Sequence, residues 1–460
     1  MRRGCGRATW GAPTGQEQNS RVMLARCWSN GLSPFRQRKS IASHCERLRF
    51  SLPIDHFMPL HILQVAPYFP PTWAFGGIPR VVDGLSRALV ELGETVSVLT
   101  TDVLGPDRRV MLPQVRDHHG VMVGTARNLS NRLANSHQLF LPTNAGSVLQ
   151  ALLASRAPVD VVHLHGHRHL LNNVALRWAQ ARGIPVVLTA NGTLRRHERK
   201  VGVKLLWDGL IAGHIPGAVQ CCVAVSAADA ADHHHAGISP ERVVRIPNGL
   251  DLAEFAPLPE RGVFRAAHGL GDGPLVAYLG QVSPRKGVDL LVRAFAGGGP
   301  HGSQLVVAGN DMGGMERARQ EASDAVRFVG LLPGRQRLEL LADADVLVYA
   351  TTAEVFGLVP FEGLLCGAPV VVADDCGCGE IISEAGAGLL VRYGDVDALR
   401  ARISTLLADR VAARAMVRRG RSYIERHLGF PTVAQQHRAL YARLVDTASR
   451  GQGKVESSHA

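Results

Sequence analysis

The sequence predicts an α/β protein with two doubly wound domains that face each other across a cleft. Apolar strand-like runs alternate with helical patterns in two successive series. A turn-rich stretch, 247–259, separates the two series and predicts a domain boundary. A chain of 460 residues also exceeds the usual size of one domain. Ligands of open parallel sheets bind beyond the carboxyl ends of the strands, so facing domains suit a transfer between two substrates.

The predicted organisation has five parts. They are a disordered N-terminal extension over residues 1–57, a first Rossmann-like domain over 58–254, a second over 255–430, a C-terminal helix over 431–448, and a disordered tail over 449–460. Residues 1–57 superficially resemble a transit peptide because they are rich in arginine and poor in acids. We interpret them as a flexible extension, or as the product of an upstream start codon, because Met58 directly precedes the first strand.

The charge of the chain does not indicate a nucleic-acid partner. The net charge is +12, but residues 1–57 account for +7 of it and leave +5 for the remainder. That mild excess suits an anionic ligand or a membrane surface. Zinc-finger spacing and other nucleic-acid signatures are missing, and no apolar run approaches the ~18 residues of a spanning helix.

The first domain begins with a complete βαβ unit. A strand at 60–66 is followed by a loop, a helical pattern at 78–92 and a second strand at 95–100. Gly76 and Gly77 at the first strand-to-helix turn allow a ligand to approach the backbone. The G-x-G-x-x-G fingerprint is absent, which argues against a dinucleotide-dependent oxidoreductase.

Two surface and strand-end features of the first domain have alternative interpretations. His163 and His165 end a strand on the same face and, with His167 or His169, would suit a metal, but they equally suit hydroxyl binding or a structural role. The segment 191–209 is basic; it is either a solvated helix face or a surface for a membrane or acceptor.

The second domain places the stretch 351–362 between a strand and a helix. Free N–H groups at such a helix start bind anions, and Pro360 suits the first turn. Glu354 and Glu362 bracket this start. A phosphate on the amides of Gly357 and Leu358 would therefore have a carboxylate on either side for sugar hydroxyls.

Two more loops follow strands of the second domain. In the loop 280–287, Gly280 precedes Arg285 and Lys286, and these cations can clamp a diphosphate. The loop 374–380 contains two glycines before Glu380; it either admits a ligand or forms a plain tight turn.

The cysteines fit a reducing compartment. The chain has eight, without a secretion signal, and Cys376 and Cys378 form a C-x-C pair that lacks the second pair needed for a structural zinc. The run of histidines at 233–235 lies at a predicted helix end and is expected to face solvent.

Over about residues 60–445 the chain resembles the family 4 retaining glycosyltransferases, which have the GT-B fold. The resemblance depends on five motifs in the right order and spacing. They are Gly76-Gly77 with Arg80, His163-Leu-His165, the segment from Pro247 to Asp251 with Phe255, Lys286-Gly287, and the segment from Glu354 to Glu362, which is similar to an E-x7-E signature.

The resemblance implies that the second domain, 255–430, mainly binds a nucleotide-sugar donor and that the first domain, 58–254, lies on the acceptor side. It also implies that the helix over 431–448 crosses back to the first domain. Lys286 would hold the diphosphate, Glu362 the ribose and Glu354 the transferred sugar. The amides of Phe356, Gly357 and Leu358 would meet sugar and phosphate.

For the first domain the resemblance implies that His163 or, preferably, His165 lines the sugar site. It also implies that no metal or other cofactor is needed. The family usually has an arginine after the glycine of the phosphate loop, where this chain has Gln281, and many members have a histidine at the position of Asn191. Arginine and glutamine are not equivalent partners for phosphate.

We therefore predict a retaining, metal-independent transferase that moves a sugar from a nucleotide diphosphate to an acceptor hydroxyl. A glycan or lipid-linked acceptor, and a cytoplasmic location with peripheral membrane contact, are the expected partners and place. The alternatives are a sugar-nucleotide epimerase or hydrolase of the same fold, and a degenerate member that only binds sugar nucleotides. The donor, the acceptor and the oligomeric state are not specified by the sequence.

Overall fold

The architecture comes from a computed structural model that describes residues 58–73, 76–154, 156–194 and 213–456. The predicted extension over 1–57 and most of the basic segment, from 195 onward, lie outside the described residues. Within them, two sheets of parallel strands are each covered by helices, which confirms the predicted fold class. No helix in these ranges is long and apolar enough to cross a bilayer.

The first sheet has the strand order β3-β4-β2-β1-β5-β6-β7-β8, and only the β3–β4 pair is antiparallel. Its strands are β1 (His61–Val65), β2 (Thr95–Thr101), β3 (Val115–His118), β4 (Val121–Ala126), β5 (Val161–His165), β6 (Val186–Thr189), β7 (Cys221–Ala224) and β8 (Val243–Arg245). Its described helices are α1 (Ile78–Glu91), α2 (Asn131–His137), α3 (Ala145–Leu153), α4 (Leu170–Gln180), α5 (Ile215–Ala218) and α6 (Ala227–His235).

The second sheet has the order β11-β10-β9-β12-β13-β14, with all pairs parallel. Its strands are β9 (Leu275–Leu279), β10 (Gln304–Ala308), β11 (Val326–Gly330), β12 (Val346–Tyr349), β13 (Val370–Ala373) and β14 (Gly388–Val391). The accompanying helices are α7 (Val263–Ala267), α8 (Val288–Arg293), α9 (Met315–Gln320), α10 (Gln336–Asp343), α11 (Val359–Cys366), α12 (Gly377–Glu384), α13 (Val396–Ala408) and α14 (Arg410–His427).

The central strands read as apolar runs because helices cover both faces of each sheet. Every residue of β1, β5, β12 and β13 is buried. The edge strand β3 has the polar sequence VRDH and is only half-buried, which explains why it lacks a clear strand pattern. The neighbours β9 and β12 end side by side, so the loops that follow them meet at one edge of the sheet.

The last helix, α15 (Phe430–Glu456), packs on the first domain. Phe430 contacts that domain so closely that a Cβ on Gly84 would lie 1.9 Å from its ring, and one on Gly249 would lie 2.3 Å away. Both contacts require glycine. The helix runs to Glu456, so the structure differs from the expected disordered tail over residues 449–456, because the helical pattern continues through the polar residues.

Candidate functional site

Lys286 and Glu354 lie in direct contact at the edge where β9 and β12 end. The Lys286 ammonium donates to Glu354 Oε2 in a short ion pair. It also donates to the hydroxyl of Tyr349, the last residue of β12, over 2.7 Å. The Tyr349 hydroxyl in turn donates to Glu354 Oε2 over 3.2 Å. A lysine, a tyrosine and a carboxylate thus form a closed set of hydrogen bonds.

The surroundings of Glu354 keep it ionised. Burial opposes the charged form, but Lys286, Arg285 and the Tyr349 hydroxyl together lower the pKa of this carboxyl below its ordinary value. Its backbone also anchors the next loop, since the Glu354 carbonyl accepts from the amide of Gly377 over 2.9 Å. The carboxylate is therefore a fixed negative charge with a defined orientation.

Glu362, in the first turn of α11, is paired with one cation from each domain. Its Oε1 accepts from Nη1 of Arg80, a residue of α1, over 3.0 Å. Its Oε2 lies 3.4 Å from Nη1 of Arg337, and Arg337 also pairs with Glu254. The Glu362 side chain is 7 % exposed and that of Arg80 38 %. The pair therefore joins the two domains at a partly accessible point of the cleft.

The turn between the two carboxylates depends on Gly357. Its φ of +77° lies in the left-handed region, and a Cβ there would come within 3.1 Å of the Tyr349 ring and 3.2 Å of Cys378 Sγ. Phe356 is buried and packs against Phe361, with ring centroids 5.3 Å apart. Leu358 directly precedes α11. The predicted amides therefore lie on a tightly packed turn at a helix start.

Two glycine loops of the first domain approach this turn. A Cβ on Gly77 would lie 3.1 Å from Leu358 Cδ1, and one on Gly192, after β6, would lie 3.1 Å from the Val355 side chain. Gly76 has a φ of +97°. The loops after β1 and β6 thus face the stretch from Glu354 to Glu362 across the cleft.

The loop after β9 continues the same edge. The Gly280 amide donates to Ala308, and the Gln281 carbonyl accepts from Tyr278 over 2.8 Å. The carbonyl of Arg285 accepts from the amide of Thr352 over 3.1 Å. That bond ties the loop carrying the predicted cations to the loop carrying Glu354. The structure therefore brings Gly280, Arg285 and Lys286 together with the residues of the α11 turn.

Comparison with known proteins identifies this arrangement. Residues 75–254 match the family described as Glycosyltransferase Family 4, and residues 260–423 match Glycosyl transferases group 1. A D-inositol 3-phosphate glycosyltransferase of Frankia alni is 30% identical over 365 residues, which cover 71% of this chain and 86% of the relative. The chain belongs to glycosyltransferase family 4.

Two further matches agree with this assignment. A GDP-mannose-dependent alpha-mannosyltransferase of Mycobacterium tuberculosis is 30% identical to this family 4 glycosyltransferase over 328 residues, covering 69% of the chain and 82% of the relative. The crystal structure of HepE of Anabaena with UDP and glucose has a TM-score of 0.64 at 18% identity, covering 84% of this chain and 100% of HepE. The two-domain fold is therefore GT-B.

His165 of the glycosyltransferase lies within the first domain. It is 1 % exposed, its Nε2 bonds to Gln64 Oε1 over 2.6 Å, and its ring lies 4.1 Å from that of His163. Burial, with His437 and His169 nearby, lowers the pKa of His165 to about 3, so the ring is neutral. Among the described residues, its neighbours belong to the first domain and α15, and its role at the sugar site stays a prediction.

One expectation from the sequence is wrong in part. In the run 233–235, His234 and His235 are exposed as expected, but His233 is fully buried, because it lies on the inner side of α6 and bonds to the Asp229 carbonyl over 2.7 Å. For the histidines of β5, a metal site was one of the alternatives considered; among the described residues no group of three or more His, Cys, Asp or Glu side chains has a metal-binding arrangement.

The structure also gives Glu380 a function other than the ligand contact considered above. Its Oε2 and Oε1 accept from the amides of Ala227 and Ala228, each over 2.8 Å. These are the first residues of α6 in the first domain. A carboxylate of the second domain therefore caps a helix of the first.

Tyr349, Arg337 and the pairing of Arg80 with Glu362 are the features of the site that the sequence pattern did not indicate. Tyr349 reads as one more apolar strand residue. Its position as the last residue of a strand in the second domain, just before the glutamate loop, was the available signal.

Proposed function

We propose that this glycosyltransferase transfers a sugar from a nucleotide diphosphate sugar to an acceptor hydroxyl with retention of anomeric configuration and without a metal ion. The observation that carries the proposal is the Lys286–Glu354 pair beside the glycine turn at the start of α11. It combines a cation for the diphosphate with a carboxylate for the sugar. The relatives named above include one described as GDP-mannose-dependent and a structure holding UDP and glucose, which supports this class of donor.

The charges of the site fit the departure of a nucleoside diphosphate. Negative charge grows on the leaving phosphate as the glycosidic bond breaks, and preorganised cations and amides stabilise it. Lys286, Arg285 and the amides of Gly357 and Leu358 would supply that stabilisation, and so perform the work that a metal performs elsewhere. Glu354 would contact the transferred sugar, and Glu362 would accept from the ribose hydroxyls.

Retention follows in this proposal from a reaction on one face of the sugar. The leaving phosphate would assist removal of the acceptor proton, with an oxocarbenium-like transition state and no covalent enzyme intermediate. His165, if it reaches the sugar, would act as a neutral hydrogen-bonding group, since the pKa of about 3 excludes an imidazolium at neutral pH.

The test is a thermal-shift screen against nucleotide sugars, followed by turnover with the best donor in buffer containing a chelator. A stabilising donor identifies itself by a shift of the melting temperature. Product analysis by NMR then gives the anomeric configuration. An inverted product, a requirement for added metal, or hydrolysis with no transfer to any acceptor would each contradict a part of the proposal.

We also propose that the protein contacts a membrane peripherally and uses a lipid-linked acceptor. One surface of the first domain supports this part of the proposal. Five large apolar side chains are exposed on the loops after β1, β2 and β4 and on helix α2. They are Trp73, Met111, Leu112, Leu129 and Leu133, and Met111 is the most exposed at 89%.

Hydrogen bonds join these loops into one surface. Thr72 donates to the Val103 carbonyl, and Asn131 donates to that of Arg108. Arg108 and Arg109 also line a cavity of about 510 Å³ beside Met111. Apolar side chains among arginines suit the interface of an anionic bilayer.

Vesicle binding tests this surface. We expect Met111→Glu with Leu112→Glu to reduce sedimentation with vesicles of phosphatidylglycerol and phosphatidylcholine by at least about tenfold, the loss for two buried apolar side chains. Val411→Glu is the matched control, because Val411 is 78% exposed but lies on α14 of the second domain. Equal binding by both variants would exclude the surface.

A further inference from the structure

Tyr349 occupies the centre of the proposed donor site, although no sugar or phosphate contact has been assigned to it. Its side chain is buried, and its ring lies between the loop that carries Gly280 and the turn that carries Gly357. A Cβ on Gly280 would lie 3.7 Å from ring atom Cε2, and one on Gly357 would lie 3.1 Å from Cε1. The ring therefore forms the wall that the phosphate loop and the α11 turn share.

The hydroxyl of Tyr349 is a hydrogen-bonding partner of both charged residues. It accepts from the Lys286 ammonium over 2.7 Å and donates to Glu354 Oε2 over 3.2 Å. Burial, and next the Glu354 carboxylate, raise the pKa of this phenol well above its ordinary value. The phenol consequently keeps its proton and remains a donor to Glu354 at every pH at which the protein would be assayed.

Because the lysine ammonium has only three N–H donors, its contacts with Tyr349 and Glu354 fix the direction of the remaining donor. An ammonium carries three N–H groups in fixed tetrahedral geometry. One points to the Tyr349 oxygen and one to Glu354, and the Lys286 Nζ lies 4.9 Å from the centre of the tyrosine ring. Two of the three directions are therefore set within the second domain. None of the described residues takes the third N–H, which remains for a ligand.

We propose that Tyr349 is a positioning residue that directs the remaining N–H of Lys286 at the terminal phosphate of the nucleoside diphosphate. The inference deepens the proposed function and rests on it, since it requires Lys286 to be the diphosphate ligand. Without the hydroxyl, the ammonium rotates toward Glu354 or water, and the phosphate loses an aligned donor. Glu354 loses its second hydrogen-bond donor in the same substitution.

The test compares nucleoside diphosphates with monophosphates. Calorimetry on the full chain gives Kd for UDP and UMP, GDP and GMP, and ADP and AMP, and the pair that binds most tightly is kept. The Kd of the monophosphate divided by the Kd of the diphosphate measures how much the terminal phosphate contributes to binding. We expect Tyr349→Phe to reduce this ratio about tenfold, the loss expected for one aligned hydrogen bond to a charged group. A tyrosine that only fills space would leave the ratio unchanged, even if both ligands bound more weakly.

A double-mutant cycle separates this inference from the proposed function. Lys286→Ala should reduce the ratio further than Tyr349→Phe, and Tyr349→Phe should have no additional effect in the Lys286→Ala protein. If Lys286→Ala leaves the ratio unchanged, or no nucleotide binds, the donor site itself is wrong and this inference falls with it. If Lys286→Ala reduces the ratio but Tyr349→Phe does not, only the positioning role is overturned.

Tyr278→Phe is the matched comparison for the loss of a buried phenol hydroxyl in the same wall. Tyr278 is as buried as Tyr349, but its hydroxyl donates to the Gln281 carbonyl and not to a charged side chain. We expect it to shift the Kd values for diphosphate and monophosphate together. A ratio that falls equally in both variants would assign the effect to the shape of the loop rather than to the direction of Lys286.

Discussion

Glu354 and Glu362 flank the same glycine turn, but they differ in how they are paired across the cleft. Glu354 pairs with Lys286, and both residues belong to loops of the second sheet. Glu362 pairs with Arg337 of the second domain and also with Arg80 of the first domain. The Lys286–Glu354 pair can therefore form within one domain, whereas the Arg80–Glu362 pair forms only when the two domains are close.

The difference indicates which functions are preorganised. A preorganised cation stabilises developing charge without reorganisation at the moment of reaction, which suits the proposed role of Lys286 at the leaving diphosphate. The cross-domain pair instead links Glu362, the carboxylate proposed to bind the ribose, to the position of the first domain. Contacts that depend on domain closure generally affect binding and catalysis together.

Removal of the pair within the second domain should have the largest effect. We expect Lys286→Ala and Glu354→Gln each to lower the rate of sugar transfer by about a hundredfold or more, the scale of losing one group that stabilises transition-state charge. Steady-state rates with the best donor measure this. Circular dichroism should show that the fold survives, and a fully active Lys286→Ala enzyme would refute the assignment.

Removal of the cross-domain cation should cost less. Arg80 is more than a third exposed, and pairs of this kind contribute on the order of 1 kcal/mol, so we expect kcat/KM of Arg80→Ala to fall about fivefold. Arg87→Ala is the matched control, because Arg87 lies on the same helix but pairs with Asp83 and Asp251. If Arg80→Ala lost as much activity as Lys286→Ala, the two carboxylates would not differ as argued.

The pH dependence of stability should report the ionisation of Glu354. Because the folded pKa of Glu354 is lowered, its contribution is fully present above the ordinary value of 4.5 and is lost as the pH falls through the folded value. In Lys286→Ala the main attraction disappears while the burial remains, so the carboxyl is penalised when ionised. The melting temperature of Lys286→Ala should therefore lie furthest below that of the unaltered protein at about pH 7.5, and the difference should shrink toward about pH 5.

A double variant controls that experiment. Lys286→Ala combined with Glu354→Gln has no carboxylate to titrate at this site, so the corresponding difference in melting temperature should vary little over the same range. An equal pH dependence of the single and double variants would mean that another group is responsible.

The sequence predicted the parts of this site better than their contacts. The strand at 346–349 and the turn before α11 followed from an apolar run, a glycine and a proline that are close together in the chain. The meeting of Lys286 with Glu354 depends on β9 and β12 being neighbours in the sheet, which local periodicity does not specify. The pair of Arg80 and Glu362 joins residues 282 positions apart.

Burial was the other property that periodicity left undetermined. His165 was correctly placed at the end of a strand, but its partner Gln64 comes from β1, which pairs with β5 only in the folded sheet. His233 was expected to face solvent because it lies at a predicted helix end, yet it lies on the inner side of α6. In both cases the environment of the histidine is set by a distant strand or by one face of a short helix.

The smallest predicted effect concerns the approach of the two domains at Gly77. Its φ of −77° is accessible to alanine, and the added Cβ would meet only the end of the flexible Leu358 side chain, 3.1 Å away. We expect Gly77→Ala to change kcat/KM by about twofold at most, because that side chain can move by a few tenths of an ångström. Gly357→Ala is the contrasting variant, since it adds strain at a φ of +77° and meets the Tyr349 ring. Kinetics of the two variants therefore compare an adjustable contact across the cleft with a rigid one inside the second domain. If Gly77→Ala lowered kcat/KM as much as Gly357→Ala, the contact across the cleft would be as rigid as the contacts within the second domain, contrary to the difference argued for the two carboxylates.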